Sequence, residues 1–547
     1  MSRNPTQPSP PIVGRHLLSC PDDMAFEGAY HYLQLAVGHA TSSPAALLLV
    51  VVPLLLLLLA SVRRSTMTGR KLRLPPSPPG SLPIIGHLHH IGAQTHISLQ
   101  HLVDKYGHNG LLFLRAGAVP TVIVSSPSAA EAVMRTHDHI LASRPWSMAS
   151  HILRYNTTDV AFSPLGEYWQ HTRKLVNTHL LSAKKVHSFA NGRQEEVCLV
   201  VNKIREAATN APSTAVDMSE FLAAYTNDVV SRSVLGATHR KKGRNTLFRE
   251  MTETNVDLLV GFNLENFIPR WPLTEVLFRL VCWKVQRHLN KWDALLEEVI
   301  KEHINLKQDN SADFIHVFLS LQQEYGLTDD NVKSLLMNIF EAAIETSYLV
   351  LEYAMAELIN NRHVMKKLQT EVRTFASSKG KKLDMITEED LSSLPYLKAT
   401  MKEALRLHPP GPLLLPHYST ADCSIDGYDI PAKTRILVNG WAIGRDPKAW
   451  ERPEEFMPER FLQDGQEKSS NLGQDFKYLP FGSGRRICPG ANFALATMEI
   501  MLVNLMYHFD WEVPNEKDGA GGKVSMAETF GLMLRRNEKL YLVPRIA

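Results

Sequence analysis

The residues with the clearest chemical potential form one run near the C-terminus, Phe481-Gly482-Ser483-Gly484-Arg485-Arg486-Ile487-Cys488-Pro489-Gly490. A cysteine among arginines and glycines is suited to become a metal-bound thiolate. The thiolate is the ligating form, and neighbouring cations together with the metal lower the thiol pKa. Gly484 and Gly490 let the backbone approach a flat cofactor, having no Cβ to collide with it. Arg486 carries a planar, permanently charged fork that could grip a carboxylate on that cofactor. A glycine-rich turn beside a buried free cysteine is the plainer alternative. Three further pairings have spacings that chemistry can use. Glu403 and Arg406 stand at i and i+3, neighbours on one helix turn. Trp169 and Arg173, at i and i+4, would offer an indole N–H and a bidentate fork from one side of a helix. Glu345 and Thr346 set a carboxylate beside a hydroxyl, the groups a proton relay needs. Each has an ordinary reading too: a surface ion pair, a helix pair, a polar interruption.

The elements that must position these residues read as mainly helical. Residues 331–360 place Leu335, Leu336, Ile339, Phe340, Ala343 and Ile344 on one helix face. Residues 391–408 and 491–508 are similarly periodic. Strand-like runs are short, such as Leu111-Leu112-Phe113-Leu114 and Thr121-Val122-Ile123-Val124. No repeat or linker divides the chain after about residue 75, which predicts one mainly α domain with small β-sheets. Across 547 residues, 44% hydrophobic and 21% charged content fits a globular protein with a large core. A net charge of +3 gives no reason to expect a nucleic-acid partner. The basic run Arg240-Lys241-Lys242-Gly243-Arg244 reads as a solvated loop between helices. The five cysteines, Cys20, Cys198, Cys282, Cys423 and Cys488, are scattered without a C-x-x-C pair. That pattern suits a reducing compartment.

From Pro44 to Val62 the chain is almost continuously apolar. About 20 such residues cross a bilayer core, and no small-residue cleavage site follows, so residues 44–62 are expected to be an uncleaved anchor. Arg63, Arg64, Arg70, Lys71 and Arg73 follow it, whereas Asp22, Asp23 and Glu27 precede it. The positive-inside rule then puts the body of the chain in the cytosol and residues 1–43 in the lumen. The acceptor Asn156-Thr157-Thr158 would therefore stay unglycosylated, and Met24 offers an alternative start. Residues 63–86 form a basic, proline-rich hinge that includes Leu74-Pro75-Pro76-Ser77-Pro78-Pro79-Gly80, stiff because proline fixes φ and restricts its predecessor. The catalytic domain is expected over 87–547.

The cysteine run matches F-x-x-G-x-R-x-C-x-G at Phe481, Gly484, Arg486, Cys488 and Gly490, and so resembles the haem-binding loop of the cytochromes P450. The resemblance extends over residues 74–547. It implies a cytochrome P450 fold behind a single transmembrane helix, with Cys488 as the axial ligand of haem b. Phe481, Arg486, Gly490, Trp169, Arg173 and His417 would surround that cofactor. Glu403, Arg406 and Arg460 (from Pro458-Glu459-Arg460-Phe461) would form the family's buried structural triad. Ala342-Ala343-Ile344-Glu345-Thr346-Ser347 resembles the oxygen-activation motif, with Ala343 where a glycine is usual. Glu345 and Thr346 would then deliver protons to dioxygen.

Thiolate ligation favours O–O cleavage, so the implied activity is that of a monooxygenase. No G-x-G-x-x-G follows a strand and no flavin signature is visible, so electrons from NADPH would arrive through a separate protein. The resemblance implies the membrane-bound NADPH–cytochrome P450 reductase and an endoplasmic reticulum location. Within the family the chain is most similar to plant microsomal members. His179-Leu180-Leu181-Ser182-Ala183-Lys184-Lys185-Val186 and Met526-Ala527-Glu528-Thr529-Phe530-Gly531-Leu532 resemble the grass enzymes that hydroxylate indole and indolin-2-one towards benzoxazinoids. By that likeness the substrate pocket draws on Trp146, Met148, Ala342, Glu345, Leu413, Leu414, Phe530, Gly531 and Leu532, mostly apolar residues suited to a small aromatic or lipophilic substrate. Two other readings compete. A haem-thiolate isomerase or dehydratase would need no reductase, though such relatives usually lack the equivalent of Thr346. A degenerate haem-binding member has Ala343 as its support.

Overall fold

The computed structural model describes residues 72–547, apart from 212, 261–271, 306–312, 381–382, 465, 468–471 and 515–521. The expected anchor at 44–62, the extension before it and residues 63–71 lie outside the described residues.

A helix over Asp329–Asn360 runs through the core. Its start is well signalled. Thr328 Oγ1 accepts the Asn331 N–H, and Asn331 Oδ1 accepts the Thr328 N–H in return, at 3.2 and 3.0 Å. Asp329 and Asp330 in the first turn suit the positive end of the helix dipole. At 1.5 Å per residue the helix is about 48 Å long. By length and composition it is apolar enough to cross a membrane, but most of that apolar stretch is buried inside the domain. It packs on the helices Met218–Leu235, Pro395–Leu407 and Ala491–His508. The periodic segment expected over 391–408 divides in two. Glu388–Ser393 is a 3-10 turn, and the α-helix starts at Pro395, whose missing N–H costs nothing at the first helical position.

The larger sheet has four strands in the order Leu111–Ala116, Val119–Val124, Arg435–Val438 and His417–Tyr418. The first pair is antiparallel, with Phe113 opposite Val122. Val119–Val124 runs parallel to Arg435–Val438, and His417 sits opposite Ile436 on the antiparallel outer strand. This register fixes His417, an expected cofactor residue, to a rigid edge. A smaller sheet joins Phe509–Glu512, Tyr541–Ile546 and Val216–Asp217.

From residue 73 the proline-rich segment is tied to two sheets, a small hairpin that includes Tyr428–Ile430 and the large sheet. Arg73 N–H donates to Asp429 Oδ2 at 2.8 Å, Asp429 N–H returns to Arg73 O, and Phe113 N–H donates to Pro76 O. The expected solvated loop at 240–244 lies between helices with residues 240–243 exposed, and its cations also form an ion-pair network. Arg240 meets Glu196 and Asp228, while Arg244, almost wholly buried, meets Glu298 and Glu302. The acidic partners come from other helices, which no local reading of four basic residues reveals.

Glu499, on the helix that follows the cysteine loop, is half-buried. Burial raises its pKa to about 7, against the opposing pull of Lys398. The unfolded chain releases this proton near the ordinary value of 4.5. Between those two values the folded state binds more protons, so stability falls as pH rises through the window. Glu499→Gln should leave stability at pH 4 unchanged and raise it by about 1–2 kcal/mol at pH 8. Denaturant midpoints at the two pH values check this, and an equal change at both would contradict it.

Candidate functional site

The cysteine loop is tied back on itself: Cys488 N–H donates to Phe481 O at 2.9 Å. Gly484 opens a 3-10 turn over Gly484–Arg486 with φ +67°, a left-handed conformation that glycine adopts without strain. A Cβ there would lie 2.2 Å from Met134 O and 2.9 Å from Asp138 Oδ1. The loop is thus pressed against the 132–138 segment, and Arg485 locks it there through its N–H and Nη1, both donating to Asp138 Oδ2 at 3.1 and 3.0 Å. The helix Ala491–His508 begins immediately afterwards.

The Cys488 sulfur opens into a cavity of about 310 Å³ inside the domain. Enclosure by protein raises its pKa, while the Gly490 N–H and the Arg173 guanidinium pull it down. The two loop arginines do not act on it as the sequence suggests. Arg485 is paired with Asp138, and Arg486 spends its guanidinium on the carbonyls of Ala142, Val160 and Ser163 at 2.7, 3.1 and 2.6 Å. A thiolate here therefore depends on a bound metal ion.

Four basic side chains line this one cavity: Arg144, Arg173, His417 and Arg486. Burial, then repulsion by Arg486, lowers Arg144 to about 9, and burial, then Arg144, lowers His417 to about 3. Burial likewise lowers Arg486 to about 10, with Asp159 opposing. So many guanidinium groups around one buried space call for an anion. The other walls are mostly apolar or glycine, among them Ala342, Ala343, Leu414, Phe481 and Phe493, with a few polar side chains such as Asn338, Glu341 and Thr346 between them. A sulfur donor, a cationic end and flat apolar walls are the features that haem b, with its iron, its two carboxylates and its planar ring, requires. The residues fit the group.

Placement of the expected site residues is mixed. Trp169 does not reach the cavity. Its indole N–H donates to Val160 O at 3.0 Å, and its ring lies 4.2 Å below the Arg486 guanidinium. Arg173 does reach it, and also donates to Ile487 O, which braces the cysteine loop. His417 is buried, with Nδ1 against Leu141 O at 3.1 Å. Glu403, Arg406 and Arg460 come together as a buried group, with Arg406 Nε and Nη2 on the two Glu403 oxygens at 2.7 and 2.8 Å and Arg460 Nε on Oε1 at 2.9 Å.

Thr346 lines the cavity, with Oγ1 donating to Ala342 O at 2.7 Å. Glu345 does not; it is paired with Arg535 Nε. Adjacent residues on a helix do not share a face, so the acid and the alcohol diverge. Ala343 lines the cavity as well. Of the expected substrate residues, Ala342, Leu414 and Leu532 line it. Trp146 is 44% exposed and tilted against His151. Met148 opens a short helix capped by Ser147, Leu413 packs under the large sheet, and Phe530 stacks on His96 at 5.4 Å. None of these four lines the cavity, nor does Gly531.

Sequence reasoning missed Arg144, Asp159 and Glu341. Arg144 binds the carbonyls of Ala161, Leu415 and Pro416 at 2.9, 2.8 and 2.8 Å and so ties three loops around the cavity. In the sequence it is one basic residue before a proline, with no helical spacing to mark it.

Residues 75–539 match the family model described as Cytochrome P450. Cytochrome P450 71C3 of Zea mays is 77% identical, over 95% of this chain and 99% of that one. Indolin-2-one monooxygenase of Zea mays is 62% identical, over 96% and 100% respectively. Among solved structures, a zebra fish cytochrome P450 with abiraterone superimposes with a TM-score of 0.68 at 24% identity, over 83% of this chain and all of that one.

Proposed function

The chain belongs to the cytochrome P450 family, and from that premise we propose that it hydroxylates a small indolic metabolite of the indole or indolin-2-one kind. It is a monooxygenase with haem b as cofactor, taking O2 and electrons that originate in NADPH and pass through a redox partner. The substrate class rests on the similarity to indolin-2-one monooxygenase and to 3-hydroxyindolin-2-one monooxygenase, both of Zea mays. The observation that carries the mechanism is the single cavity lined by Cys488, Thr346 and the four basic side chains. When bound, the haem supplies oxygen activation and transfer.

The chain's own residues do the rest. Cys488 would hold the iron, and the basic side chains Arg144, Arg173, His417 and Arg486 lining the same cavity would balance the cofactor's carboxylates. Trp169 holds Arg486 and Val160 in place from behind. Phe481 and Gly490 close the loop side of the cavity. Glu403, Arg406 and Arg460 hold the segments beneath the loop. The Thr346 hydroxyl, on the cavity wall, would supply protons to the oxygen chemistry, and Glu345, tied to Arg535, holds the next charge along the helix. Ala342, Leu414 and Leu532 exclude water around an apolar ring.

NADPH–cytochrome P450 reductase is the electron donor in this reading. Residues 44–62 anchor the chain once in the endoplasmic reticulum membrane, behind a lumenal 1–43 extension, and residues 87–547 form the cytosolic catalytic domain.

Reconstituted with reductase and NADPH, the protein should form a hydroxylated product from indole or indolin-2-one. Turnover without NADPH would favour an isomerase, and haem binding without any turnover a non-catalytic member. Thr346→Ala should keep NADPH consumption but lower the product formed per NADPH by about tenfold or more. Unchanged coupling in that variant would remove Thr346 from the relay.

A further inference from the structure

Glu341 has no part in the account above, yet it lines the same cavity. It is 5% exposed, and one carboxylate oxygen, Oε2, lies against the guanidinium of Arg154, itself wholly buried. The other oxygen, Oε1, is buried without a hydrogen-bond partner. Arg154 also meets Asp159, with Nε and Oδ2 3.5 Å apart. Asp159 Oδ1 is occupied, accepting the Phe162 N–H at 3.0 Å. Two carboxylates thus share one guanidinium; each keeps one oxygen without a hydrogen-bond partner, and of the two acids only Glu341 lines the cavity. A buried acceptor without a donor is costly, so a ligand N–H arriving at this wall would be held strongly. A carboxylate can only accept, which selects donors and rejects ring oxygen or sulfur.

We propose that Glu341 is the substrate-positioning residue of this enzyme, accepting a hydrogen bond from the ring N–H of an aromatic heterocycle. This rests on the indolic reading and deepens it: the N–H edge is held at Glu341, which fixes the carbon presented for oxidation. The Arg154 pairing holds the carboxylate in position, and Phe162, 5.7 Å from the Arg154 guanidinium, supplies an apolar wall beside it.

The test compares ligands that differ only by N-methylation: indole with N-methylindole, and indolin-2-one with its N-methyl form. Each is titrated into the haem-loaded full chain and followed by the Soret shift, alongside steady-state turnover. The wild type should prefer the N–H member by about tenfold or more. Glu341→Leu should reduce that preference to about twofold, raising KM for N–H substrates more than it lowers kcat. Glu341→Gln, which preserves shape, should fall between. Proper assembly of each variant is read from the carbon monoxide spectrum of the reduced protein. If Glu341→Leu fails to assemble because Arg154 is left unpaired, the double variant Arg154→Met with Glu341→Leu takes its place. An undiminished preference in the variants, or none in the wild type, overturns the inference while indolic turnover stands. Absence of any indolic turnover or binding in the wild type overturns the functional reading and this inference with it.

Discussion

Arg406→Leu should yield a chain that accumulates without haem and unfolds at far lower denaturant than the wild type. All of the Arg406 donors are in use: two meet Glu403, and others bind the carbonyls of Gly444, Pro453 and Glu455 at 2.6, 2.7 and 3.1 Å. Leucine takes their donor from the Gly444 and Pro453 carbonyls, leaves the Glu455 carbonyl with Arg460 Nη2 alone at 3.3 Å, and leaves Glu403 with only Arg460 and the Met457 N–H. Breaking one side of such a buried pair costs about 3–5 kcal/mol, a large share of the 5–15 kcal/mol that holds a domain folded. The damage also has a route to the cofactor. The Trp450 ring lies 5.2 Å from the Arg406 guanidinium and 5.8 Å from that of Arg460, and its indole N–H donates to Lys477 O at 3.3 Å. Lys477 is four residues from the first residue of the cysteine loop. Haem content per folded protein, measured with the denaturation midpoint, checks this. A variant that binds haem normally would separate the triad from the loop.

Gly484→Ala should abolish thiolate-ligated haem with less effect on the rest of the fold. The new methyl group would overlap Met134 O at 2.2 Å, a backbone atom that cannot rotate away. The left-handed φ of +67° adds about 1 kcal/mol or more of intrinsic strain for any residue with a Cβ. To relieve both, the loop must lift off the 132–138 segment, breaking the two Arg485 bonds to Asp138 and displacing Cys488 four residues later. Gly166→Ala is the matched control, since a Cβ there meets nothing within 4 Å and its φ of 177° is ordinary extended backbone. That variant should load haem like the wild type. Equal haem loading by both variants would show that the close approach at Gly484 is not needed.

These two residues also mark what sequence alone reveals. The loop around Cys488 is legible because its chemistry is local: glycine, arginine and cysteine at fixed spacings lie within ten residues. The helices over Asp329–Asn360 and Ala491–His508 are legible for the same reason, through apolar periodicity. Trp169 is misread because its hydrogen-bond acceptor, Val160, and the cation above its ring, Arg486, are set by tertiary packing that i, i+4 spacing does not encode. The Glu345–Thr346 pair reads as one unit in the sequence, whereas the helix turns its two members to different surroundings and Arg535, 190 residues away, captures the acid. Arg144 and Glu341 escape notice because burial alone gives them meaning. An arginine before a proline and a glutamate in a helix are ordinary until three loops and a second guanidinium close around them.

Everything here depends on the Cys488 sulfur binding the haem iron as a thiolate, although its protein surroundings alone raise the thiol pKa. The direct measurement is the absorbance of the purified, dithionite-reduced protein under carbon monoxide. A strongly red-shifted Soret band that disappears in Cys488→Ser is the predicted result. A band at the position typical of histidine-ligated haem, or a red-shifted band that survives in Cys488→Ser, would contradict the account.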